Sequence, residues 1–295
     1  MCEWQVCFEV KGLIAPEKPL KFDNIAFRKV QTTDEKIPFG NDDQSIVFLR
    51  VTSDEKKDFM GIRKRLQEFL SLYGLVTNNY VESPLGYVSY PINDVTPFGE
   101  IKYLSKVFAV KNSTNEQKEK EYQLLNYSGQ IFNKFGSIFT DRSKRHLKNA
   151  VTYHYRALKD LDYLSTEEVL IDEMIALESL FGLTGYGLSL RASILLSLDG
   201  KEETHNIHKK INSLCKKRNK IVHGSEEVTV TVKEIFELKN FVTKLIFIFL
   251  KVNTSKDALI ELVDKSVLEW DFRKKLIELT QKPSQQSNNS DKKET

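Results

Sequence analysis

Arg218 and His223, in the run RNKIVHG, are the residues whose types and spacing could do chemistry. Cleaving RNA without a metal needs a base to take the 2′-hydroxyl proton. It also needs a cation to stabilise the charged transition state and an acid to protonate the leaving 5′-oxygen. One imidazole and one guanidinium are the right types for these tasks. His223 ends an expected helix just before Gly224, where the helix C-terminus favours a protonated imidazole. Five positions apart on an ideal helix, the two side chains point roughly 140° from each other. A long Arg side chain and a terminal turn must therefore bring them to one cleft. Asn219 follows the Arg, and Lys216 and Lys217 supply local positive charge for a phosphate backbone. One copy makes a thin site, and two copies facing across a dimer make a fuller one.

The surrounding helices show why Arg218 stands out. Over 202–223, Ile207, Ile211, Leu214, Ile221 and Val222 mark one apolar face, and Arg218 falls on it. An inward guanidinium is costly unless it is paired or hydrogen-bonded. Two further helices repeat the pattern. Over 166–182, Glu178 lies on the face of Ile171, Met174, Ile175 and Phe181. Over 186–198, Arg191 sits among Leu188, Leu195 and Leu198. One carboxylate and two guanidinium groups are thus expected to satisfy one another.

The whole chain has 295 residues, 40% hydrophobic and 29% charged, with a net charge of +3. That is a globular composition without a strong global pull on nucleic acid, so an RNA site must be a local basic patch. Cys2, Cys7 and Cys215 are too scattered for a disulfide framework or a zinc site. No metal or cofactor is expected. The first residues, MCEWQVCFEV, lack the features of a signal peptide. The most apolar run, LIFIFL, is far shorter than a membrane span. A cytoplasmic protein without membrane contact is expected.

Along the chain, 1–112 reads as a mixed α+β domain. WQVCFEV, NIAFRKV, SIVFLRV and YVSYPI read as strands, and 54–73 as a helix capped by Ser53 or Asp54. A charged stretch, KNSTNEQKEKEY, marks the junction. An all-helical domain is expected over 113–280, with helices at 114–134, 142–161, 166–182, 186–198, 202–223, 230–252 and 256–279. Gly136, Gly182, Gly200 and Gly224 fall near helix ends, where only Gly takes a left-handed cap cheaply. Residues 281–295 are polar and low in complexity and read as a disordered tail. Among the other histidines, His154 reads as a packing residue and His146 as part of a solvated basic start. His205 and His208 lack a third ligand for zinc.

In order and spacing, IDEMIALESLFG (171–182), SLRASILLSLDG (189–200) and INSLCKKRNKIVHG (211–224) resemble the Apea-like branch of the HEPN superfamily. LKNAVTYHYRALKDL fits the helix before them, and the resemblance covers about 145–252. It implies a helical bundle that dimerises and places two Arg-x4–6-His motifs at the dimer cleft. It also implies a metal-independent endoribonuclease of a toxin–antitoxin or antiviral system. Arg218, Asn219 and His223 match the motif, and Glu178 and Arg191 match the branch's ALE and RxA positions as supporting residues.

The expected partners are RNA, with tRNA a candidate substrate, a second copy of the chain, and an antitoxin or phage-derived trigger. The alternative is a non-catalytic HEPN module that binds RNA, a nucleotide or a protein. A third reading is a purely structural helical dimer.

Overall fold

A computed structural model describes residues 2–14, 20–22, 25–29, 44–53, 59–78, 80–81, 87–91, 114–160, 165–198, 200–224, 228–252 and 254–281. Over these the chain is mostly helical. It divides into two compact units, Met1–Arg142 and Ser143–Thr295.

The first unit contains five strands, β1 (Cys2–Ile14), β2 (Leu20–Phe22), β3 (Ile25–Lys29), β4 (Gln44–Ser53) and β5 (Tyr87–Pro91). They pair antiparallel in the order β2-β3-β4-β1-β5. Its helices are α1 (Phe59–Thr77) and α2 (Asn115–Phe135). The rings of Phe22, Phe27, Phe69 and Phe132 cluster, with centroids of neighbouring pairs 4.9–6.3 Å apart. Gly129 admits the Phe22 ring against α2; a Cβ there would sit 2.0 Å from the ring.

The boundary therefore differs from the one expected at 112/113. From Thr114 onward the charged run at the junction is the cap and solvated first half of α2, with a Thr114–Gln117 capping box. The second half buries Leu125, Ile131 and Phe132 in the first unit. Charge density marked a solvent-facing helix there, and the domain boundary falls after it. The described part of the helix expected at 54–73 is Phe59–Thr77, which runs on past 73 because Leu70, Leu72 and Leu75 are all core residues. Ser53 is the last residue of β4, and residues 54–58, with the cap candidate Asp54, lie outside the described residues.

The second unit holds α3 (Arg145–Asp160), α4 (Thr166–Phe181), α5 (Gly185–Leu196), α6 (Lys201–His223), α7 (Val232–Lys251), α8 (Lys256–Ser266) and α9 (Trp270–Gln281). Ser165 with Glu168 and Thr231 with Glu234 form capping boxes that start α4 and α7. The single helix expected at 256–279 is two, broken at Val267–Glu269. Gly182 and Gly224 are left-handed caps at φ 67° and 60°. Gly136 instead opens a 3-10 turn, and Gly200 is the extended N-cap of α6. The expected tail beyond Gln281 lies outside the described residues.

The centre of this unit is α4. Val169, Leu170, Met174, Ala176, Leu177, Leu180 and Phe181 are all buried, so the helix is enclosed on nearly every side. The inward face is thus wider than the sequence stripe. Val222 departs from its expected place on the α6 stripe: it is 51% exposed, in the last turn of the helix. Among the described residues no single helix is long and apolar enough to cross a membrane.

Candidate active site

Helix α6 carries the motif. Ile207, Ile211 and Leu214 bury its inner face, and Arg218 continues that face one turn later. The inward guanidinium is paired, as it must be. Its Nη2 donates to Glu178 Oε2 on α4 at 3.4 Å, and Nη1 donates to Asn219 Oδ1 at 3.2 Å. Nε is buried without a hydrogen-bond partner among the described residues. Both charged side chains keep a little exposure, 21% for Arg218 and 22% for Glu178, so the pair borders solvent. Burial raises the Glu178 carboxyl above the usual carboxylate range, and Arg218 pulls the other way.

Cys215 lies beside this pair. Burial, helped by the negative charge of Glu178, pushes its thiol up to about 11. Its Sγ reaches the carbonyl of Gly185 at 3.8 Å. A buried thiol with a raised pKa favours packing over nucleophilic attack.

The structure corrects the expectation that Arg191 shares this pair. From α5, Arg191 turns to α8 and grips Asp264 with two bonds, Nε to Oδ1 at 2.7 Å and Nη2 to Oδ2 at 2.6 Å. Its Nη1 also donates to the Phe181 carbonyl at 3.5 Å. Lys256 of α8 donates to the Ser179 carbonyl at 3.0 Å. Two cations thus satisfy the open carbonyls at the C-terminal end of α4, the end that carries Glu178. Arg191 thus holds α8 and the end of α4 together without bonding to Arg218 or Glu178.

His223 is the last residue of α6 and is exposed. Gly224 stops the helix immediately after it, its N–H returning to Ile221 and Lys220 carbonyls. Asn219 and Lys216 are exposed as well. Lys217 is engaged within the fold. Its Nζ donates to both Glu234 oxygens, at 2.7 and 2.9 Å, and to the Thr229 carbonyl at 2.9 Å. Glu234 is the acid of the α7 capping box, so Lys217 braces the start of α7.

Comparison with family models, curated proteins and solved structures returns no match.

Sequence reasoning missed one polar cluster. His154, expected to be a packing residue, is fully buried, and so is Glu173. His154 Nδ1 lies 3.0 Å from each Glu173 oxygen, and Nε2 lies 3.3 Å from the Thr243 hydroxyl. The trio has the residue types of a hydroxyl–imidazole–carboxylate relay. With no exposure at the imidazole or the carboxylate, it joins α3, α4 and α7 and offers a substrate no approach. The available signal was α4 itself: a helix with apolar residues on nearly every side leaves its mid-helix acids few places to go but into partners.

His146 also departs from the expected solvated face. It is half-buried with its ring 6.2 Å from that of Phe249, and burial lowers its pKa. Among the described residues, no group of three or more His, Cys, Asp or Glu side chains could hold a metal ion.

Proposed function

We propose that this chain is a metal-independent endoribonuclease of the HEPN type, acting as a toxin or antiviral effector in the cytoplasm. The observation that carries the proposal is the Arg218–Glu178 pair. A guanidinium is fixed on an otherwise apolar helix face, at the border of solvent, on the same helix that ends in an exposed His223. In the proposed reaction His223 takes the 2′-hydroxyl proton. The freed oxygen attacks the adjacent phosphorus, and the 5′-oxygen leaves with a proton. Arg218 stabilises the negative charge on the phosphoryl oxygens, oriented by Glu178 and Asn219.

A second copy of the chain supplies the other His and Arg, so that acid and base come from different protomers. The strands and helices of the first unit make an α+β domain that restrains or triggers the nuclease, through an antitoxin or a phage-derived signal. The second reading, a non-catalytic module that binds RNA, a nucleotide or a protein, draws on the exposure of His223, which has no hydrogen-bond partner among the described residues.

The test is incubation of total RNA and tRNA with the full chain in EDTA, beside Arg218→Ala and His223→Ala. Cleavage by the wild type that is lost in both variants supports the proposal. Cleavage that survives in both variants removes these residues from the site. Binding without cleavage favours the second reading.

A further inference from the structure

From Thr204 to His223, the six cations and three histidines of α6 are divided between two faces. Over that stretch the helix contains no Asp or Glu. Lys210, Lys217 and Arg218 each find a carboxylate on a neighbouring helix: Glu237, Glu234 and Glu178. At about 100° per residue, these three positions lie on the half of the helix that carries Ile207, Ile211 and Leu214. The other half is different. His205, Lys209, Asn212, Lys216 and His223 fall within a band about 60° wide, and Asn219 and Lys220 widen it to about 100°. All but the half-buried Asn212 are exposed. Lys209 and Lys216 are in no ion pair among the described residues. The band runs about 27 Å along the helix and ends at His223.

We propose that this face is the track for the phosphate backbone of a single-stranded RNA, leading the strand to His223. The track rests on the nuclease reading for its class of substrate. Its members are of one kind: ammonium donors spaced along a line, with amide and imidazole side chains between them. No aromatic or aliphatic side chain lies within the band. A protein partner would need an apolar centre, and interface centres are depleted in Lys. A polyanion needs only regularly placed donors and cations. The pairing of Lys210 and Lys217 elsewhere explains why adjacent lysines in KK dipeptides divide their work, one to the fold and one to the track.

The test is fluorescence anisotropy of a labelled uridine oligonucleotide titrated with the full chain over a range of salt concentrations. Binding is compared for wild type, Lys209→Ala/Lys216→Ala and a charge-matched control, Lys244→Ala/Lys274→Ala. All four lysines are exposed, so unchanged thermal melts are expected. Each lost phosphate contact lowers the slope of log K against log salt by about 0.7 for a single strand. The track pair therefore loses about 1.4 from the slope, and the control pair loses none. An unchanged slope in the track pair overturns the proposal, as does an equal fall in the control. No RNA binding by the wild type overturns it too, and capture of an acidic peptide in its place assigns the face to a protein. Arg218→Ala/His223→Ala separates the two readings. RNA bound through the track without cleavage by any protein leaves the track standing and the nuclease fallen. Cleavage with an unchanged slope leaves the nuclease standing and the track fallen.

Discussion

Arg218 and Glu178 meet from two helices, with Arg218 Nη2 donating to Glu178 Oε2 at 3.4 Å across the α4–α6 contact. Removing either partner strands the other at a site with only about a fifth of its surface exposed. Arg218→Ala should therefore lower stability by about 1–3 kcal/mol in urea unfolding, apart from any effect on RNA cleavage. Arg218→Met with Glu178→Gln removes both charges and should regain most of that loss, because no unpaired ion is left. Cleavage should stay absent in the double variant. Recovery of cleavage with stability would reduce the pair to a structural clasp.

Arg191 should behave differently. Its fork holds Asp264 and its Nη1 the α4 carbonyl end, so Arg191→Ala loosens α8 from α4 and α5. The expected result is faster amide exchange over Lys256–Ser266, with a stability loss of about 1–3 kcal/mol. Arg191→Lys should recover little, since an ammonium cannot reproduce two parallel bonds. Exchange that changes only around Arg218 would contradict this assignment.

Much of this was legible in advance, for a physical reason. Helical periodicity placed α2 and α4–α7 within a few residues, because each has a continuous apolar face and α2, α4 and α7 also have capping boxes. Arg218 and Glu178 were visible as charges on apolar stripes, since a violation of binary pattern shows in one dimension. Partner choice was not visible. Asp264 lies seventy-three positions from Arg191, and only the turn of α8 against α5 brings it within reach. Glu173 escaped notice because a stripe model allows one inward face, whereas α4 has neighbours all round. The α2 boundary failed because exposure and linker composition look alike when charges are dense.

The buried His154–Glu173 pair predicts a large and partner-dependent cost. His154→Leu leaves the fully buried Glu173 carboxyl without its imidazole hydrogen-bond partner, which should lower stability by about 1–3 kcal/mol. His154→Leu with Glu173→Leu should return a substantial part of that. Thermal melts of the two single variants and the double variant measure the coupling. Additive losses would mean that the pair is not coupled through its bond.

Lys216 and Lys217 are neighbours with opposite expected phenotypes. Lys217→Ala breaks the ion pair to Glu234 and the bond to the Thr229 carbonyl. Both groups are partly screened by solvent, so the stability loss should be roughly 1 kcal/mol. The salt slope of RNA binding should not move. Lys216→Ala should show the reverse, with unchanged melts and a lower slope. Matching effects from the two variants would erase the distinction drawn between the faces of α6.

Acidity should tune the Arg218–Glu178 pair in a defined direction. Burial holds the Glu178 carboxyl above its ordinary range despite the pull of Arg218. A carboxyl whose folded pKa exceeds its unfolded one binds its proton more tightly in the folded state. Above the folded value it must ionise, and its contribution then lowers stability. As pH falls through the folded value toward the unfolded one, that loss is recovered. Glu178→Gln cannot titrate and supplies the baseline. The stability of wild type relative to Glu178→Gln should thus rise as the solution is acidified from neutrality into the carboxylate range. Urea titrations at a series of pH values read this difference directly. A relative stability that falls on acidification would mean that Arg218 dominates burial, and that the pair is an ordinary ion bridge. Cleavage should decline over the same interval, because a protonated Glu178 no longer anchors the guanidinium that the phosphate must meet.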